Sequence, residues 1–372
     1  MKVLHINSYY SDSKLYKNLY DRQVKQNLNI DVFVSVPTNY KMPERDFGAY
    51  TLVRKNHHKW HRVWYEYKQN KMLNDLEQHY SVRDYDLIHA HSLFTNGGMA
   101  YKLHQKYGTD YIVAVRNTDV NTFFKKLPHL RSYGVEILKH AKKIVFLSDV
   151  FKHEIIKNYL PEKDKAAIIE KMITIPNGVD DFWLENNYEK PAFDKDSKTI
   201  NLIYVGKIMK LKNVPTIAKA AEVLQQRGYE VSMTVIGQIL DKSEYDKIKD
   251  KPFVKYESFQ PMEAIIKKYR SNDVFVMPSF GETFGLVYVE AMSQGLPVIY
   301  TKGQGFDGQF PEGEVGYHID PNSPEDIADK IELIMDNYDD MSKNSTRNAL
   351  HFDWDQISAR YLQMYQETSG KH

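Results

Sequence analysis

Short apolar runs alternate along the chain with longer segments in which apolar residues recur every three or four positions. The short runs predict buried strands and the longer segments predict amphipathic helices. Alternating strands and helices form parallel sheets covered on both faces, and here the alternation occurs in two successive sets. The pattern therefore predicts an α/β fold with two doubly wound, Rossmann-like domains that face a cleft. The predicted strands are Val3–Ile6, Val32–Val36, Asp86–His91, Tyr111–Val115, Lys143–Leu147, Met172–Ile175, Ile200–Val205, Val231–Gly237, Val254–Glu257, Asp273–Met277, Leu296–Tyr300 and Val315–Ile319.

Two stretches mark where the first set gives way to the second. The segment Pro176–Asp180 contains a proline and a glycine, which interrupt regular structure. The polar run Glu185–Lys198 that follows is predicted to be the linker. The expected parts are an N-terminal domain at residues 1–180, a C-terminal domain at 181–351, and an amphipathic last helix within 352–372.

Composition narrows the class of protein. The 372 residues are enough for two domains, and 42% hydrophobic residues give each a core. A balance of 50 basic against 49 acidic residues argues against a protein that binds nucleic acid by bulk charge. The lack of cysteine excludes a disulfide framework and thiolate chemistry. No signal peptide or membrane span is recognisable, so we expect a cytoplasmic protein.

The most informative stretch is Ser279–Gly295, which lies between two predicted strands. Gly281 and Gly285 leave its first part bare of side chains, and the apolar spacing that follows predicts a helix that Gly295 ends. A helix N-terminus at the carboxyl end of a strand attracts anions, above all phosphate. The backbone is therefore predicted to contact a phosphate at Thr283, Phe284, Gly285 and Leu286.

Two carboxylates, Glu282 and Glu290, frame this helix. At a helical rise of about 1.5 Å per residue they would lie roughly 12 Å apart, about the span of a nucleotide sugar. Neither is expected to hold the phosphate itself, because like charges repel. One can accept hydrogen bonds from the hydroxyls of a sugar, and the other from a ribose at the opposite end.

The Glu-x7-Glu arrangement with its intervening glycine resembles the signature of retaining glycosyltransferases of family 4, which have the GT-B fold. The resemblance is specific from Asn177 to Gly295 and architectural elsewhere. It implies transfer of a hexose from a nucleoside diphosphate sugar, such as a UDP-sugar, to a hydroxyl with retention of the anomeric configuration. It also implies that Glu282 orients the sugar, that Glu290 binds the ribose, and that the last helix returns to the N-terminal domain.

The resemblance further implies a role for each domain and the biosynthetic process in which the protein acts. The N-terminal domain would lie on the acceptor side and the C-terminal domain would bind the donor nucleotide. Exopolysaccharide, capsule or glycolipid assembly is the expected setting. The acceptor would be a saccharide or a lipid-linked saccharide, with peripheral contact at the inner membrane face and no nucleic-acid partner.

A cationic loop leaves the first strand of the second set, from Gly206 to Asn213. It resembles the Gly-Arg and Lys pair of the family, with Lys207 in the arginine position and Lys212 in the lysine position. Lys207 offers a point charge where arginine offers a bidentate fork. The resemblance implies that both cations stabilise the departing diphosphate, so neither a metal nor another cofactor is expected. The alternative is a solvated basic loop. The strands that contain Gly237 and Tyr256 match those whose loops receive the nucleotide base in the family.

The predicted acceptor side departs from the family. The loop Asn7–Ser13 lacks the glycines that many GT-B enzymes have there, although its serine hydroxyls could donate hydrogen bonds instead. Arg116 stands where many family members carry a histidine. Because arginine cannot give up its proton, we expect it to anchor an anion such as a lipid diphosphate, or alternatively to pair with Asp119. His91 and Asn96 are the other residues expected on this side.

Three further motifs are typical of metal or dinucleotide sites, but the neighbouring sequence argues against those functions. His89 and His91 share one face of a predicted strand, which leaves three options: a metal site, a polar cleft lining, or buried histidines with satisfied hydrogen bonds. Asp84-Tyr85-Asp86 resembles a metal motif of the other glycosyltransferase fold, but it precedes a strand, so we expect a coincidence. Gly303–Gly308 fits a dinucleotide fingerprint, but no helix is predicted after it, so we expect a loop near the donor.

A basic, aromatic segment covers His57–Tyr80, with Trp60, Val63, Trp64 and Tyr67 at helical spacing. One interpretation is a helix that lies on a membrane or contacts a lipid acceptor. The other is a helix that packs its aromatic stripe on the first domain. The second is favoured because such stripes are usually part of a core.

Two rival functions keep the predicted fold. One is a sugar phosphorylase or epimerase. The other is a catalytically silent subunit that stabilises an active partner, to which the missing glycines and Arg116 give some support. The set of Glu282, Glu290 and Lys212 argues against the silent subunit.

Overall fold

The computed structural model describes residues 1–58, 60–61, 64–194 and 197–370. Long-range contacts divide the chain into two compact units. Unit 1 comprises Met1–Pro176 and Trp354–His372, and unit 2 comprises Asn177–Asp353. No helix in the described ranges is both long enough and apolar enough to cross a membrane.

Unit 1 contains a seven-stranded sheet in the order β3-β2-β1-β4-β5-β6-β7, and every pair is parallel. The order reverses between β1 and β4, and ligands of doubly wound folds bind beyond the carboxyl ends of strands at such a point. The strands are β1 Lys2–Ile6, β2 Asn29–Pro37, β3 Thr51–His57, β4 Leu87–Ala90, β5 Tyr111–Ala114, β6 Lys143–Phe146 and β7 Met172–Thr174. The helices of its first segment are α1 Leu15–Lys25, α2 Tyr65–His79, α3 Thr95–Tyr107, α4 Arg131–His140, α5 Asp149–Asn158 and α6 Glu162–Ile169.

Unit 2 repeats the arrangement with a six-stranded sheet in the order β10-β9-β8-β11-β12-β13, again parallel throughout. Its order reverses between β8 and β11. The strands are β8 Thr199–Val205, β9 Glu230–Ile236, β10 Val254–Glu257, β11 Val274–Met277, β12 Val298–Thr301 and β13 Gly316–Ile319. The helices are α7 Asp181–Glu185, α8 Val214–Gln226, α9 Lys242–Asp246, α10 Met262–Arg270, α11 Leu286–Met292, α12 Pro324–Asp336 and α13 Tyr338–Ala349.

The last helix, α14 (Trp354–Ser369), belongs to unit 1 and packs along α1. Its apolar stripe is buried in the core on the α1 face of the sheet. Two polar contacts add to the packing: Ser358 donates to the Gln26 side chain at 2.9 Å, and the Tyr365 hydroxyl lies 2.6 Å from a ring nitrogen of His89. Unit 1 is therefore completed by residues from both ends of the chain.

The predicted α/β class with two parallel, doubly wound sheets is confirmed, but one strand was missed. No strand was predicted between Val36 and Asp86, whereas β3 begins at Thr51 and pairs with β2 at the edge of the sheet. An edge strand needs no continuous apolar run, and β3 carries Arg54, Lys55 and Asn56 in succession. Its sequence therefore lacks the pattern by which the other strands were found.

The polar run Glu185–Lys198 is not a free linker. In its described part, the backbone N–H of Tyr188 donates to the Ser293 carbonyl at 2.9 Å, and that of Phe193 donates to Asp339 at 2.8 Å. Lys190 is largely buried and donates to the carbonyl of Asn272. These bonds fix the run to unit 2, and the units divide earlier, between Pro176 and Asn177.

The favoured interpretation of the aromatic stripe is wrong. Trp60 and Trp64 precede α2, and they are 55% and 60% exposed, while Tyr67 in the first turn of α2 is 48% exposed. The helix instead buries Gln69, Met72, Asp75 and Leu76. Val63, the fourth residue of the predicted stripe, lies outside the described residues.

Candidate active site

Lys212 and Glu282 meet at the point where the strand order of unit 2 reverses. Lys212 ends a single turn of 3-10 helix after β8, and Glu282 lies in the loop after β11. The Lys212 ammonium and the Glu282 carboxylate form a close ion pair, with side chains 20% and 16% exposed. The structure thus joins two of the predicted catalytic residues, with Lys212 already neutralised by a carboxylate.

The loop after β12 fixes the position of Glu282. The Gln304 side chain accepts a hydrogen bond from the backbone N–H of Glu282 at 3.0 Å, and the N–H of Gly305 donates to the Glu282 carbonyl at 3.2 Å. Glu282 also accepts a hydrogen bond from the N–H of Thr283 at 3.0 Å. The first two contacts come from the Gly303–Gly308 segment, which forms turns and opens no helix, as predicted. The segment therefore lacks the strand-turn-helix context of a dinucleotide fingerprint.

Glu290 lies on α11 with its side chain partly buried. Burial, and next to it repulsion from Asp180, raise the pKa of Glu290 to about 7. Among the residues that the structure describes, no cation lies within ion-pair distance of Glu290. The carboxyl is therefore poorly stabilised in its charged form, and hydroxyl donors from a ligand would stabilise it.

The helix that follows Glu282 is shorter than predicted, since it was expected to continue to Gly295. It runs only from Leu286 to Met292, because Gly285 adopts a left-handed conformation at its N-cap, with φ 82°. A side chain at Gly285 would come within 2.6 Å of the Tyr288 ring. Glu282 precedes the helix and Glu290 lies within it, as predicted, but the separation of about 12 Å does not apply because it assumed helical rise throughout.

The residues expected to contact the donor phosphate differ in their surroundings. Phe284 is 2% exposed, and its ring packs against Phe306 and Phe352 at centroid distances of 6.1 and 5.4 Å. Its side chain is part of the core, so only its backbone is available to a ligand. Thr283 and Leu286 are partly buried, and the first N–H groups of a helix lack intrahelical partners.

Gly206 and Gly237 bring the loops after β8 and β9 together. The N–H of Gly206 donates to the Ile236 carbonyl at 2.9 Å, and a Cβ on Gly237 would lie 1.9 Å from the Gly206 carbonyl oxygen. The Tyr256 hydroxyl donates to the Gly237 carbonyl at 3.0 Å. Only a glycine fits at position 237. The close approach of the Gly206 carbonyl therefore explains why a glycine is present, and contact with a nucleotide base is not needed to explain it.

Lys207 is exposed, whereas Lys212 is held in the ion pair with Glu282. The carbonyl of Lys207 accepts a hydrogen bond from the Tyr204 hydroxyl at 2.8 Å, which fixes its backbone. Its ammonium is therefore free to move towards a ligand. The two predicted cations share one loop but have different surroundings.

In unit 1, Asp119 stabilises the start of α3. Its carboxylate accepts hydrogen bonds from the backbone N–H groups of Leu93, Phe94 and Arg116, at 3.0, 3.1 and 2.8 Å. Burial raises the pKa of Asp119 to about 6, although these bonds oppose the rise. Asp119 thus hydrogen-bonds to the backbone of Arg116 and attracts its guanidinium electrostatically without forming a close ion pair.

Arg116, Asn96 and Ser8 lie beyond the carboxyl ends of β5, β4 and β1. The Arg116 Nε donates to the carbonyl of His91 at 3.2 Å. Ser8 donates to the Asn96 side-chain oxygen at 2.9 Å. Ser11 donates to the Ser8 carbonyl at 2.9 Å, so two of the loop serines are engaged within the protein. The predicted acceptor-side residues are close in the fold, but nearly all of their surface is buried.

A third histidine joins His89 and His91. His5 on β1 pairs in register with His89 on β4, and potential ligand nitrogens of the three rings lie within 4.8 Å of one another. His5 Nδ1 lies 3.0 Å from His91 Nε2. Burial lowers the pKa of His5 to about 3 and the pKa values of the other two well below their usual range. All three rings are fully buried, and each has one nitrogen without a hydrogen-bond partner among the described residues. The choice among the three options and metal independence both stay predictions.

Asp84-Tyr85-Asp86 lies at the amino end of β4, opposite the edge where a ligand would bind. Asp86 accepts a hydrogen bond from the N–H of Lys2 at 2.8 Å, and the Tyr85 hydroxyl donates to Asp31 at 2.8 Å. Both contacts join neighbouring strands. The motif is structural, in line with the expected coincidence.

Sequence reasoning missed His5, Asp180 and Gln304. His5 follows the first apolar residues of β1, and only the pairing of β1 with β4 places it beside His89. Asp180 ends the Pro176–Asp180 segment and caps α7. Its negative charge disfavours the ionised form of Glu290. Gln304 was noticed only as part of a glycine motif. The sequence carried no signal for these contacts beyond the residue types.

Comparison with known proteins gives the family. Residues 185–351 match the family described as Glycosyl transferases group 1, and residues 14–181 match Glycosyltransferase Family 4. The chain is 26% identical over 309 residues to a D-inositol 3-phosphate glycosyltransferase of Paenarthrobacter aurescens, covering 76% of this chain and 73% of that protein. It is also 26% identical over 249 residues to the capsular polysaccharide biosynthesis glycosyltransferase CapM of Staphylococcus aureus, covering 62% and 64%.

A solved structure shows the same fold. Anabaena HepE in complex with UDP superposes with a TM-score of 0.71 at 16% identity, covering 99% of this chain and all of that one. The two family matches together span both units, and the signature residues Glu282, Glu290 and Lys212 lie within the match at residues 185–351. The chain belongs to the family 4 glycosyltransferases and has the GT-B fold.

Proposed function

We propose that the protein transfers a hexose from a UDP-sugar to a hydroxyl of a saccharide or lipid-linked acceptor, with retention of the anomeric configuration. The observation that carries the proposal is the Lys212–Glu282 ion pair at the switch point of unit 2. Glu290, on the helix that follows, has a carboxyl whose pKa is raised by burial and which has no cation within ion-pair distance among the described residues. A cation for a diphosphate and two carboxylates for hydroxyl groups are the functional groups that a nucleotide sugar requires.

In the proposed reaction, the bond from the anomeric carbon to the diphosphate oxygen breaks as the acceptor oxygen bonds to that carbon. The acceptor proton passes to the departing diphosphate. Lys212 leaves its ion pair with Glu282 and pairs with the diphosphate. The exposed Lys207 side chain moves from solvent to contact the same diphosphate. Their charges stabilise the leaving group, so the reaction needs no metal.

Released from Lys212, Glu282 accepts hydrogen bonds from the sugar hydroxyls. Retaining glycosidases place two carboxyl groups about 5 Å apart and use one as the nucleophile. Here Glu282 and Glu290 occupy different elements, and Glu290 is assigned to the ribose. Retention then follows from attack on the same face that the diphosphate leaves.

The setting we propose is polysaccharide or glycolipid assembly, at the cytoplasmic face of the inner membrane. The names of the relatives support it: one acts on an inositol phosphate and another serves capsule biosynthesis. The exposed Trp60, Trp64 and Tyr67 support peripheral contact with that membrane, because indole and phenol rings favour the interface between lipid and water. Lys71 on the same helix is exposed and adds positive charge.

A screen of nucleotide sugars by thermal shift, followed by transfer assays with the donor that stabilises most, tests the proposal. We expect a UDP-sugar to stabilise the protein and its hexose to appear in an α- or β-linked product that keeps the donor configuration by NMR. No binding of any nucleotide sugar would overturn the proposed donor. Binding without turnover would favour the silent subunit, and phosphate as the preferred acceptor would favour the phosphorylase.

A further inference from the structure

We infer that unit 1 holds a phosphate group, as free phosphate or as a phosphate ester, with Arg116 as its cation. The inference extends the proposed function, since it assigns a phosphate to the acceptor. It starts from a buried guanidinium that has one unpartnered nitrogen among the described residues. Arg116 is 6% exposed, and its Nη1 is buried without a hydrogen-bond partner. In the part of the chain that the structure describes, no carboxylate lies within ion-pair distance of the guanidinium.

A buried guanidinium cannot become neutral by losing its proton, because arginine stays charged at every physiological pH. Buried charges in proteins are therefore paired or bound to ligands. Asp119 is the nearby carboxylate, but its oxygens accept three backbone N–H groups, including that of Arg116 itself. The Arg116 side chain itself hydrogen-bonds to two uncharged groups, the His91 carbonyl and the Tyr361 hydroxyl. A second anion is the missing partner.

Two further buried groups next to Arg116 have unused hydrogen-bonding capacity. Asn96 is fully buried, and its oxygen accepts from Ser8, which leaves Nδ2 as a donor without a partner. His91 is also fully buried, and its Nδ1 has no partner. Both residues flank the short loop after β4 that Arg116 contacts: Arg116 donates to the His91 carbonyl, and the N–H of Asn96 donates to Ser92 at 3.2 Å.

The location is where doubly wound folds bind ligands. Ser8, Asn96 and Arg116 follow β1, β4 and β5, and the strand order of unit 1 reverses between β1 and β4. A guanidinium fork with nearby amide and hydroxyl donors matches the oxygens of a phosphate. A metal ion held by His5, His89 and His91 would instead add positive charge beside an unpaired arginine. The electrostatics therefore favour an anion in this region.

The test measures binding of inorganic phosphate in the absence of any donor. Thermal shifts are recorded at constant ionic strength for the wild type, Arg116→Gln and Arg116→Lys. Lys212→Ala serves as the matched control, because phosphate could also bind the cation of unit 2. We expect saturable stabilisation by phosphate in the wild type and in Lys212→Ala. In Arg116→Gln we expect affinity to fall by about tenfold or more, the range for a lost charged hydrogen bond, with partial rescue by lysine.

Without phosphate, Arg116→Gln should be at least as stable as the wild type, because it removes an unpaired buried charge. If Arg116→Gln does not fold, Asn96→Asp tests the same site by adding a negative charge, and phosphate stabilisation should disappear. An unchanged phosphate response in both variants would overturn the inference and make the guanidinium structural. Glycosyl transfer by a protein that does not respond to phosphate would sink the inference and leave the proposed function intact.

Two compounds distinguish the source of the phosphate. Farnesyl diphosphate presents the diphosphate of a lipid-linked acceptor, and glucose 6-phosphate presents the phosphate of a soluble sugar. Tighter Arg116-dependent binding of the first supports a lipid diphosphate, and tighter binding of the second supports a sugar phosphate. Binding of neither, with no response to inorganic phosphate, refutes the site.

Discussion

Replacing Glu290 by glutamine should stabilise the ligand-free protein and weaken donor binding at the same time. The pKa of Glu290 lies at about 7, against an ordinary value of 4.5. Because the folded protein holds this proton more tightly than the unfolded chain does, the group adds stability below pH 4.5 that is lost as the pH rises through about 7. The gap between the two values corresponds to about 3 kcal/mol.

Glutamine keeps the shape of the protonated side chain and cannot ionise. At pH 8 Glu290→Gln should therefore be more stable than the wild type by up to about 3 kcal/mol, and at pH 5 the two should differ little. Binding of the nucleotide sugar should change in the opposite direction. A charged hydrogen bond contributes about 1.5 to 3 kcal/mol, so affinity for the donor should fall by one to two orders of magnitude.

Equilibrium denaturation at a series of pH values and calorimetric titration with the nucleotide sugar measure the two effects. Glu189→Gln is the matched control, because Glu189 is an exposed loop carboxyl of the same unit. A nucleotide sugar is a suitable probe because its diphosphate is a diester without a secondary ionisation near neutral pH. If the stability of Glu290→Gln follows that of the wild type from pH 5 to 8, the burial argument fails. Unchanged donor affinity would refute the ribose assignment.

Other predictions address the remaining parts of the site. Lys212→Ala should lower turnover by about a hundredfold or more in a transfer assay, comparable to the loss of one oxyanion donor, and a small change would remove Lys212 from the chemistry. Lys207→Arg should keep or raise activity, since a fork replaces a point charge; a large loss would show that the loop cannot accept the arginine geometry. Turnover should persist in excess chelator, and loss that manganese or magnesium restores would contradict metal independence. Trp60→Ser with Trp64→Ser should reduce sedimentation with anionic vesicles without affecting donor binding, and equal sedimentation would remove the membrane role.

The positions of Lys212 and Glu282 after two strands were predictable because their signals are local. Lys212 and Glu282 each follow an apolar strand within a few residues, and the parallel sheet brings the ends of adjacent strands to one edge. The ion pair between them could not be predicted, because it depends on β8 and β11 being neighbours across the sheet. The pKa of Glu290 likewise depends on Asp180, which is distant in sequence.

The acceptor side was harder to predict because its contacts join distant segments. Arg116 was identified as a candidate only by resemblance, and its burial and unpartnered Nη1 are visible only in the structure. The position of His5 beside His89 requires the strand order. The exposure of Trp60 and Trp64 contradicts the expectation from spacing, because helical periodicity shows that residues share a face and does not show which side that face is on.

The placement of α14 has a consequence for synthesis of the protein on the ribosome. Unit 2 is encoded by one continuous segment, whereas unit 1 needs both the first and the last residues of the chain. Until Trp354, Tyr361 and Tyr365 emerge, the apolar face of the sheet that packs α14 stays open to water, and His89 lacks its hydroxyl partner. The unit translated second can therefore reach its native state before the unit translated first. Loss of the last turns of α14 would leave the earliest-made half of the protein as a substrate for chaperones and proteases.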